Sequence, residues 1–345
     1  MKKTILTILQ YIIFLGLGIW IVYHMLHQLS DKQTTQLVDA IESINAWYLV
    51  PIFLAGFLSH FFRAVRWRYL LETVDIKPSL VNTTFAVFIG YIANLALPRA
   101  GEVAKCTVLA KYEKTPPHKM IGTIVAERAF DMVCLIIIAF CAFLFQAQII
   151  SDYVGPKLAI LHEKIRQNQT TLVITLAAVV LLIAAIVAIY RKNRETKVGR
   201  LMKEMGGGIF SIINMKKRWQ FLLYTVLIWA MYLTQLYIGL KSLPDTHHLS
   251  PLAALVVLVY GSVGMIVTPG GIGLYTLLVA QVLGAYMIDE VPAQAFGWIA
   301  WAVQTGIIIL MGVISLLVIH TYNRRRDAKI AMDNAQDFQP GGTGA

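Results

Sequence analysis

Acidic and basic side chains interrupt apolar sequence at two neighbouring places in the first half of the chain. Arg99 and Glu102 stand between two apolar stretches, and Glu127, Arg128 and Asp131 lie within the next one. An ionisable group at membrane depth is costly unless it is paired or faces a water-filled cavity, so such residues indicate a functional site. Because arginine can bind a phosphate through two parallel hydrogen bonds, we expect these residues to recognise an anionic lipid headgroup.

Two interpretations of these charged groups remain open. Arg99 and Glu102, three residues apart, either hold a lipid phosphate with Glu102 orienting the arginine, or form an ion pair that only stabilises the break. Glu127 and Asp131 share a helix face, and Arg128 can pair with Asp131. These three residues form either a proton-coupled or phosphate-guiding relay, with Arg128 as a second anion contact, or a salt-bridge network that locks helices together.

A second break lies near the end of the chain, where residues 268–273 read TPGGIG. Proline lacks a backbone donor and glycine permits positive φ, so one helix should end before Pro269 and another should begin after Gly273. The backbone donors and the new helix N-terminus predict an anion site that includes Thr268, Gly270 and Gly271. The same sequence is also typical of a simple hinge.

Basic and aromatic residues at the end of an earlier apolar stretch predict an interfacial anchor. Arg63, Arg66, Trp67 and Arg68 have the residue types that meet anionic headgroups at a membrane surface. The alternative is that these residues gate a substrate path.

Composition predicts a membrane protein with several spans. Hydrophobic residues make up 57% of the sequence and charged residues 14%, and residues 4–29 form an apolar run too long for a signal peptide, which we interpret as a retained first span. The net charge of +11 is a topology signal, since basic segments stay on the cytoplasmic side. The basic segments are residues 2–3, 63–77, 99–119, 191–218 and 324–329.

Placing these basic segments on one side of the membrane predicts which other segments return to the side they left. Residues 80–119 must return to the cytoplasm and residues 252–289 to the outside, and each is interrupted where a helix should break. We therefore expect an all-α polytopic membrane bundle with about six full spans and two re-entrant helical hairpins, or about eight spans if the hairpins cross.

The order of spans and hairpins in the first half is repeated, with opposite orientation, in the second. This predicts an inverted repeat over residues 46–150 and 220–320, inside a single membrane domain at 1–320. Residues 321–345 are expected to form a disordered cytoplasmic tail.

Four motifs in a fixed order resemble the lysylphosphatidylglycerol synthase transmembrane family. They are RAVRWRYLL (63–71), NLALPRAGEVAKCTVLA (94–110), ERAFD (127–131) and TPGGIG (268–273). The resemblance covers residues 47–320 and implies a multi-span inner-membrane protein that translocates lipid between leaflets. The family's soluble aminoacyl-transfer domain has no counterpart in this sequence, so we do not expect aminoacyl-lipid synthesis.

The function that we expect is that of a flippase-like translocase for a phosphate-bearing lipid, not that of an enzyme. The alternative is a membrane-embedded transferase, or an accessory subunit of lipid or cell-envelope glycoconjugate synthesis. Expected partners are anionic or lipid-linked membrane lipids and an envelope-biosynthesis enzyme, in the bacterial inner membrane with both termini cytoplasmic. No cofactor, metal or nucleic acid is expected, because the eight histidines lack metal-ligand spacing and no nucleic-acid-binding pattern is present.

Overall fold

The computed structural model describes residues 16, 19–25, 27, 29–96, 100–167 and 215–337. Within these ranges every regular element is helical, as the sequence predicts. The helices are α1 (Asp31–Glu42), α2 (Leu49–Glu72), α3 (Leu80–Ala96), α4 (Ala100–Glu113), α5 (His118–Gln167), α6 (Arg218–Lys241), α7 (Pro251–Val267), α8 (Leu274–Ala285) and α9 (Glu290–Asp337), with 3-10 turns at Ala46–Tyr48 and Pro269–Gly271.

Four helical segments of the described chain are long and apolar enough to cross a membrane. They are Ala46–Glu72, His118–Gln146, Arg218–Lys241 and Glu290–Met332. Helices α3, α7 and α8 are apolar but shorter. The prediction of a polytopic helical membrane protein is confirmed, while the further span predicted at 4–29 lies largely outside the described residues.

Contacts at the two ends of the bundle define the directions of α2 and α6. At one end, Nζ of Lys217, just before α6, lies 2.8 Å from Oε2 of Glu72 at the end of α2. At the other end, the N–H of Asn45, before α2, donates to the carbonyl of Ser242, after α6, at 3.1 Å. The two helices are therefore antiparallel, and they pack directly against each other.

Helices α3 and α4 form the first hairpin, which begins and ends at the same end of the bundle. At its base, the amide of Asn82 donates to Oε1 of Glu113 at 2.6 Å. At its tip, the N–H of Gly101 donates to Oδ1 of Asn94 at 2.8 Å. A Cβ at Gly101 would lie 1.9 Å from the carbonyl oxygen of Gly90, so this close helix approach requires glycine.

Helices α7 and α8 form the second hairpin, whose base lies at the opposite end of the bundle. Leu249 and Ala253, at the start of α7, share a buried cluster with Leu283 and Ile288, at the end of α8. The turn between the helices contains Gly270 with a φ of +63°, a conformation that favours glycine. The second break therefore falls where proline and glycine predict it.

The tips of the two hairpins meet inside the bundle. A Cβ at Gly270 would lie 3.2 Å from Cδ2 of Leu95, one residue before the end of α3. Each hairpin also packs against a long helix of the other half of the chain. Helix α3 packs against α9, and α7 packs against α5. The two hairpins therefore enter the bundle from opposite ends, and the relation of the two halves as an inverted repeat stays a prediction.

Helix α9 continues well past the predicted end of the membrane domain, to Asp337. The expectation of a disordered tail is therefore wrong for residues 321–337. The amide of Asn323 donates to Oδ1 of Asn82 at 2.8 Å, and Nη1 of Arg326 donates to Oε1 of Glu113 at 2.9 Å. These contacts with the base of the first hairpin hold the helical extension in place, and residues 338–345 lie outside the described chain.

Candidate functional site

Two arginines of α2 are buried inside the bundle. Arg63 is 6% exposed and Arg66 is 0% exposed. Three residues apart on one helix, they share a face, and α2 packs against both α5 and α6. A buried guanidinium is stable only with anionic partners, and α5 supplies them.

Glu127 and Asp131 of α5 share these two arginines. The two oxygens of Asp131 lie 2.6 Å from Nη1 of Arg63 and 2.7 Å from Nη1 of Arg66. Oε1 of Glu127 lies 3.2 Å from Nη2 of Arg66 and 3.5 Å from Nη1 of Arg63. The carboxylates stand one turn apart on α5, as the arginines do on α2, so the two pairs meet face to face.

Lys105 of α4 brings the first hairpin to the same carboxylates. Its Nζ lies 2.9 Å from Oε2 of Glu127 and 3.9 Å from the centre of the Trp67 ring. Trp67 is itself fully buried and donates its indole N–H to Oγ1 of Thr123 at 3.0 Å.

The five residues Arg63, Arg66, Lys105, Glu127 and Asp131 form what we call the charged cluster. Three cations meet two carboxylates in it, so with all groups ionised the charged cluster carries one excess positive charge. An uncompensated buried charge is destabilising, so this excess is costly while no further anion is bound. The excess makes the charged cluster chemically suited to receive an anion.

A narrow pocket leads from the charged cluster along α3, α4 and α5. Lys105, Glu127 and Arg128 line it, and Nε of Arg128 lies 3.2 Å from Oε1 of Glu102. The side chains of Arg128 and Glu102 are 48% and 33% exposed, so this pair stands at the outer part of the pocket. The space inside is about 10 Å³, close to that of one water molecule, so a headgroup can enter only if the helices move apart.

Polar contacts extend from the charged cluster into the second half of the bundle. Nη2 of Arg63 donates to the hydroxyl of Tyr232 at 3.2 Å, and the Tyr232 ring lies 6.3 Å from the ring of His60. Nε2 of His60 lies 3.0 Å from Nε2 of Gln304, whose Oε1 accepts from Gln235 at 3.1 Å. The site therefore involves α6 and α9 as well as the first hairpin.

The structure corrects the predicted interfacial anchor. Arg63, Arg66 and Trp67 are buried because the carboxylates of α5 and the ammonium of Lys105 offer them partners inside the bundle. Arg68 alone of the four is partly exposed, and its Nε donates to the carbonyl of Pro78 at 3.0 Å.

Arg128 has a different partner from the one expected. It pairs with Glu102, not with Asp131, because both oxygens of Asp131 are already occupied by arginines of α2. Arg99 lies outside the described residues, so its expected pairing with Glu102 stays a prediction.

Sequence reasoning missed the role of Lys105. The available signal was a lysine inside the otherwise apolar run VAKCTVLA, since a single basic residue there calls for a buried acidic partner. Glu127 and Asp131 were found because their spacing on one helix is visible without knowledge of the packing.

The residues of the second break bond mainly to one another. Thr268 is 1% exposed and donates its hydroxyl to the carbonyl of Gly264 at 3.1 Å. The N–H of Gly271 donates to the carbonyl of Thr268 at 3.0 Å, and the carbonyl of Gly270 accepts from Nε1 of Trp301 at 2.7 Å. The Thr268 hydroxyl and the Gly271 N–H already have acceptors within the protein, and this favours the hinge interpretation over an anion site at this position.

Fold and site together define a polytopic helical membrane protein with a buried, cation-rich cluster between a helical hairpin and two spans. In the ranges that the structure describes, no group of three or more His, Cys, Asp or Glu side chains could hold a metal ion. The chain belongs to the family described as lysylphosphatidylglycerol synthase TM region, whose model matches residues 7–314.

A similar curated protein is a UPF0104 membrane protein from Pyrococcus horikoshii. The two are 31% identical over 86 residues, which cover 24% of this chain and 26% of that protein. The alignment thus spans about a quarter of the relative's length. No solved structure matches the chain.

Proposed function

We propose that the protein moves a phosphate-bearing lipid between the two leaflets of a membrane, with the lipid headgroup bound at the charged cluster. The observation that carries this proposal is the excess positive charge among Arg63, Arg66, Lys105, Glu127 and Asp131. A phosphate that enters the pocket would compensate this charge, and arginine side chains suit its geometry.

Arg128 is the residue that an incoming phosphate would meet before the charged cluster. Its partner Glu102 is partly exposed and therefore bound only weakly. In our proposal the phosphate replaces Glu102 on Arg128, and the released carboxylate no longer holds α4 to α5. The contact between Lys105 and Glu127 still joins the first hairpin to α5, so the hairpin separates and widens the pocket only when the phosphate reaches Lys105 as well.

The two hairpins offer a route for alternating exposure of the bound headgroup. Their bases lie at opposite ends of the bundle and their tips meet at Leu95 and Gly270. We propose that both hairpins are re-entrant, that the protein lies in the bacterial inner membrane with cytoplasmic termini, and that each hairpin opens the site to one side. An envelope-biosynthesis enzyme would supply or consume the lipid, and the protein itself would act as a transporter, not as a transferase.

Reconstitution in vesicles tests the proposal. Lipids with a labelled phosphomonoester headgroup should become accessible to an impermeant quencher faster than in protein-free vesicles, and Arg128→Gln should slow this about ten-fold, the change that ~1.4 kcal/mol of lost binding gives. Arg325→Gln, at an exposed position on α9, is the matched control and should leave the rate unchanged. The proposal fails if no anionic lipid moves faster than in protein-free vesicles, or if neutral lipids move equally fast.

A further inference from the structure

A second cavity, apolar throughout most of its lining, lies between α5, α6 and α7. Its volume is about 320 Å³. The residues that line it include Cys134, Ile138, Trp229, Leu233, Leu255 and Leu258. We call this cavity the apolar groove.

The apolar groove begins beside the charged cluster. Thr225 is the only hydroxyl residue in its lining, and Oγ1 of Thr225 accepts from Nη1 of Arg66 at 3.3 Å. Cys134 stands one helical turn beyond Asp131 on α5, and Trp229 one turn beyond Thr225 on α6. On α5 the lining runs from Cys134 to Ile138, about 6 Å at the helical rise of ~1.5 Å per residue.

We infer that the apolar groove holds one hydrocarbon chain of the lipid whose phosphate is bound at the charged cluster. The inference rests on the proposed function and adds to it the position and number of the bound chains. A cationic cluster that contacts the wall of an apolar groove complements an anionic head joined to a hydrocarbon tail. Arg66 is the junction, since it contacts both Asp131 and the Thr225 wall of the groove.

The size of the groove favours a single-chain phosphate lipid. Its volume is at the lower end of the range of about 300 to 1,000 Å³ that is typical of small-ligand pockets. Helices α5, α6 and α7 line it, and the exposure of Ile137 (56%) and Val226 (65%) shows that the groove is open along one side. A lipid with one long chain per phosphate therefore fits better than a lipid with two acyl chains.

Photo-cross-linking to the full-length protein in nanodiscs tests this inference. The probe is dodecyl phosphate with a diazirine in mid-chain, and its partner is the same chain ending in an alcohol. The phosphate probe should label Cys134, Trp229 and Leu233 about ten-fold more than the alcohol does, which corresponds to ~1.4 kcal/mol of headgroup binding. Equal labelling by both probes, or labelling spread over exposed residues such as Phe140 and Leu317, would mean ordinary annular lipid and would overturn the inference.

Two substitutions on α6 separate groove occupancy from headgroup binding. Ala230→Phe fills the groove and should lower labelling about ten-fold, whereas Leu223→Phe, at a 56% exposed position outside the groove, should not change it. If lipid moves in vesicles but the groove is not labelled, the inference about the groove is refuted and the proposed function is not. Phosphate-dependent groove labelling with no lipid movement would uphold the groove as a binding site and refute transport.

Discussion

Nζ of Lys105 lies 2.9 Å from Oε2 of Glu127, and this contact joins the first hairpin to the span α5. The same carboxylate also accepts the two arginines of α2. Glu127 therefore connects three helices that are far apart in the sequence. Its removal should affect the packing of the bundle more than the removal of any exposed acid.

Glu127→Gln should strongly destabilise the protein. It leaves Asp131 as the single carboxylate among Arg63, Arg66 and Lys105, and loss of one partner from a buried ion pair costs about 3–5 kcal/mol. Glu102→Gln is the matched control, because the Glu102–Arg128 pair is partly exposed and such pairs contribute about 1 kcal/mol or less. Thermal unfolding in detergent should show a much lower midpoint for the first variant, and similar midpoints would contradict the assigned network.

Gly101→Ala should disrupt the first hairpin. The added Cβ would lie 1.9 Å from the carbonyl oxygen of Gly90 and 2.5 Å from Cγ of Asn94, so the two helices must move apart. Such overpacking costs about 1–3 kcal/mol or more. Gly122→Ala on α5 is the control, since nothing lies within 4 Å of its added Cβ. Thermal unfolding compares the two, and equal stability would show that the hairpin is not packed as described.

The positions of the breaks could be predicted from the sequence because proline and glycine act on the backbone locally. The shared face of Glu127 and Asp131 was predictable for a similar reason, since helical spacing fixes it. The partners of these carboxylates were not predictable in this way. Arg63 and Asp131 are 68 residues apart, and their meeting depends on the register between α2 and α5.

The depth of Arg63 did carry a usable signal. It precedes Glu72, the last residue of α2, by nine residues, which places it about 14 Å from the helix end at ~1.5 Å per residue. An arginine that far inside an apolar helix is more typical of a buried, paired site than of a surface anchor. The three arginines and one tryptophan between 63 and 68 resembled an interfacial belt in composition, and composition does not distinguish depth.

Cys106 should resist alkylation at neutral pH. It is 2% exposed, so the reagent cannot reach its thiol while α4 packs against α3. The test uses a variant with Cys134→Ser and Cys141→Ser, labelled with N-ethylmaleimide at pH 7.5 in native micelles and after denaturation in SDS. Labelling should occur only after denaturation.

A positive control for this experiment is available on the same helix. In the protein that lacks all three native cysteines, Val103→Cys places a thiol at a 66% exposed position of α4, and it should react without denaturation. Rapid native labelling of Cys106, at the rate of the Val103→Cys thiol, would show that α4 does not pack against α3 as described.

Lys105→Met separates the role of charge from the role of packing. The substitution leaves Arg63 and Arg66 facing Glu127 and Asp131, so the remaining groups are balanced and no carboxylate is left without a partner. Stability should therefore fall much less than in Glu127→Gln, whereas the excess positive charge that we propose to bind phosphate is lost. Binding of dodecyl phosphate should weaken about ten-fold, or ~1.4 kcal/mol, with the thermal midpoint little changed.

Lys111→Met, at an exposed position of the same helix, is the control and should alter neither phosphate binding nor the thermal midpoint. Unchanged phosphate binding by Lys105→Met would show that the charged cluster is structural only.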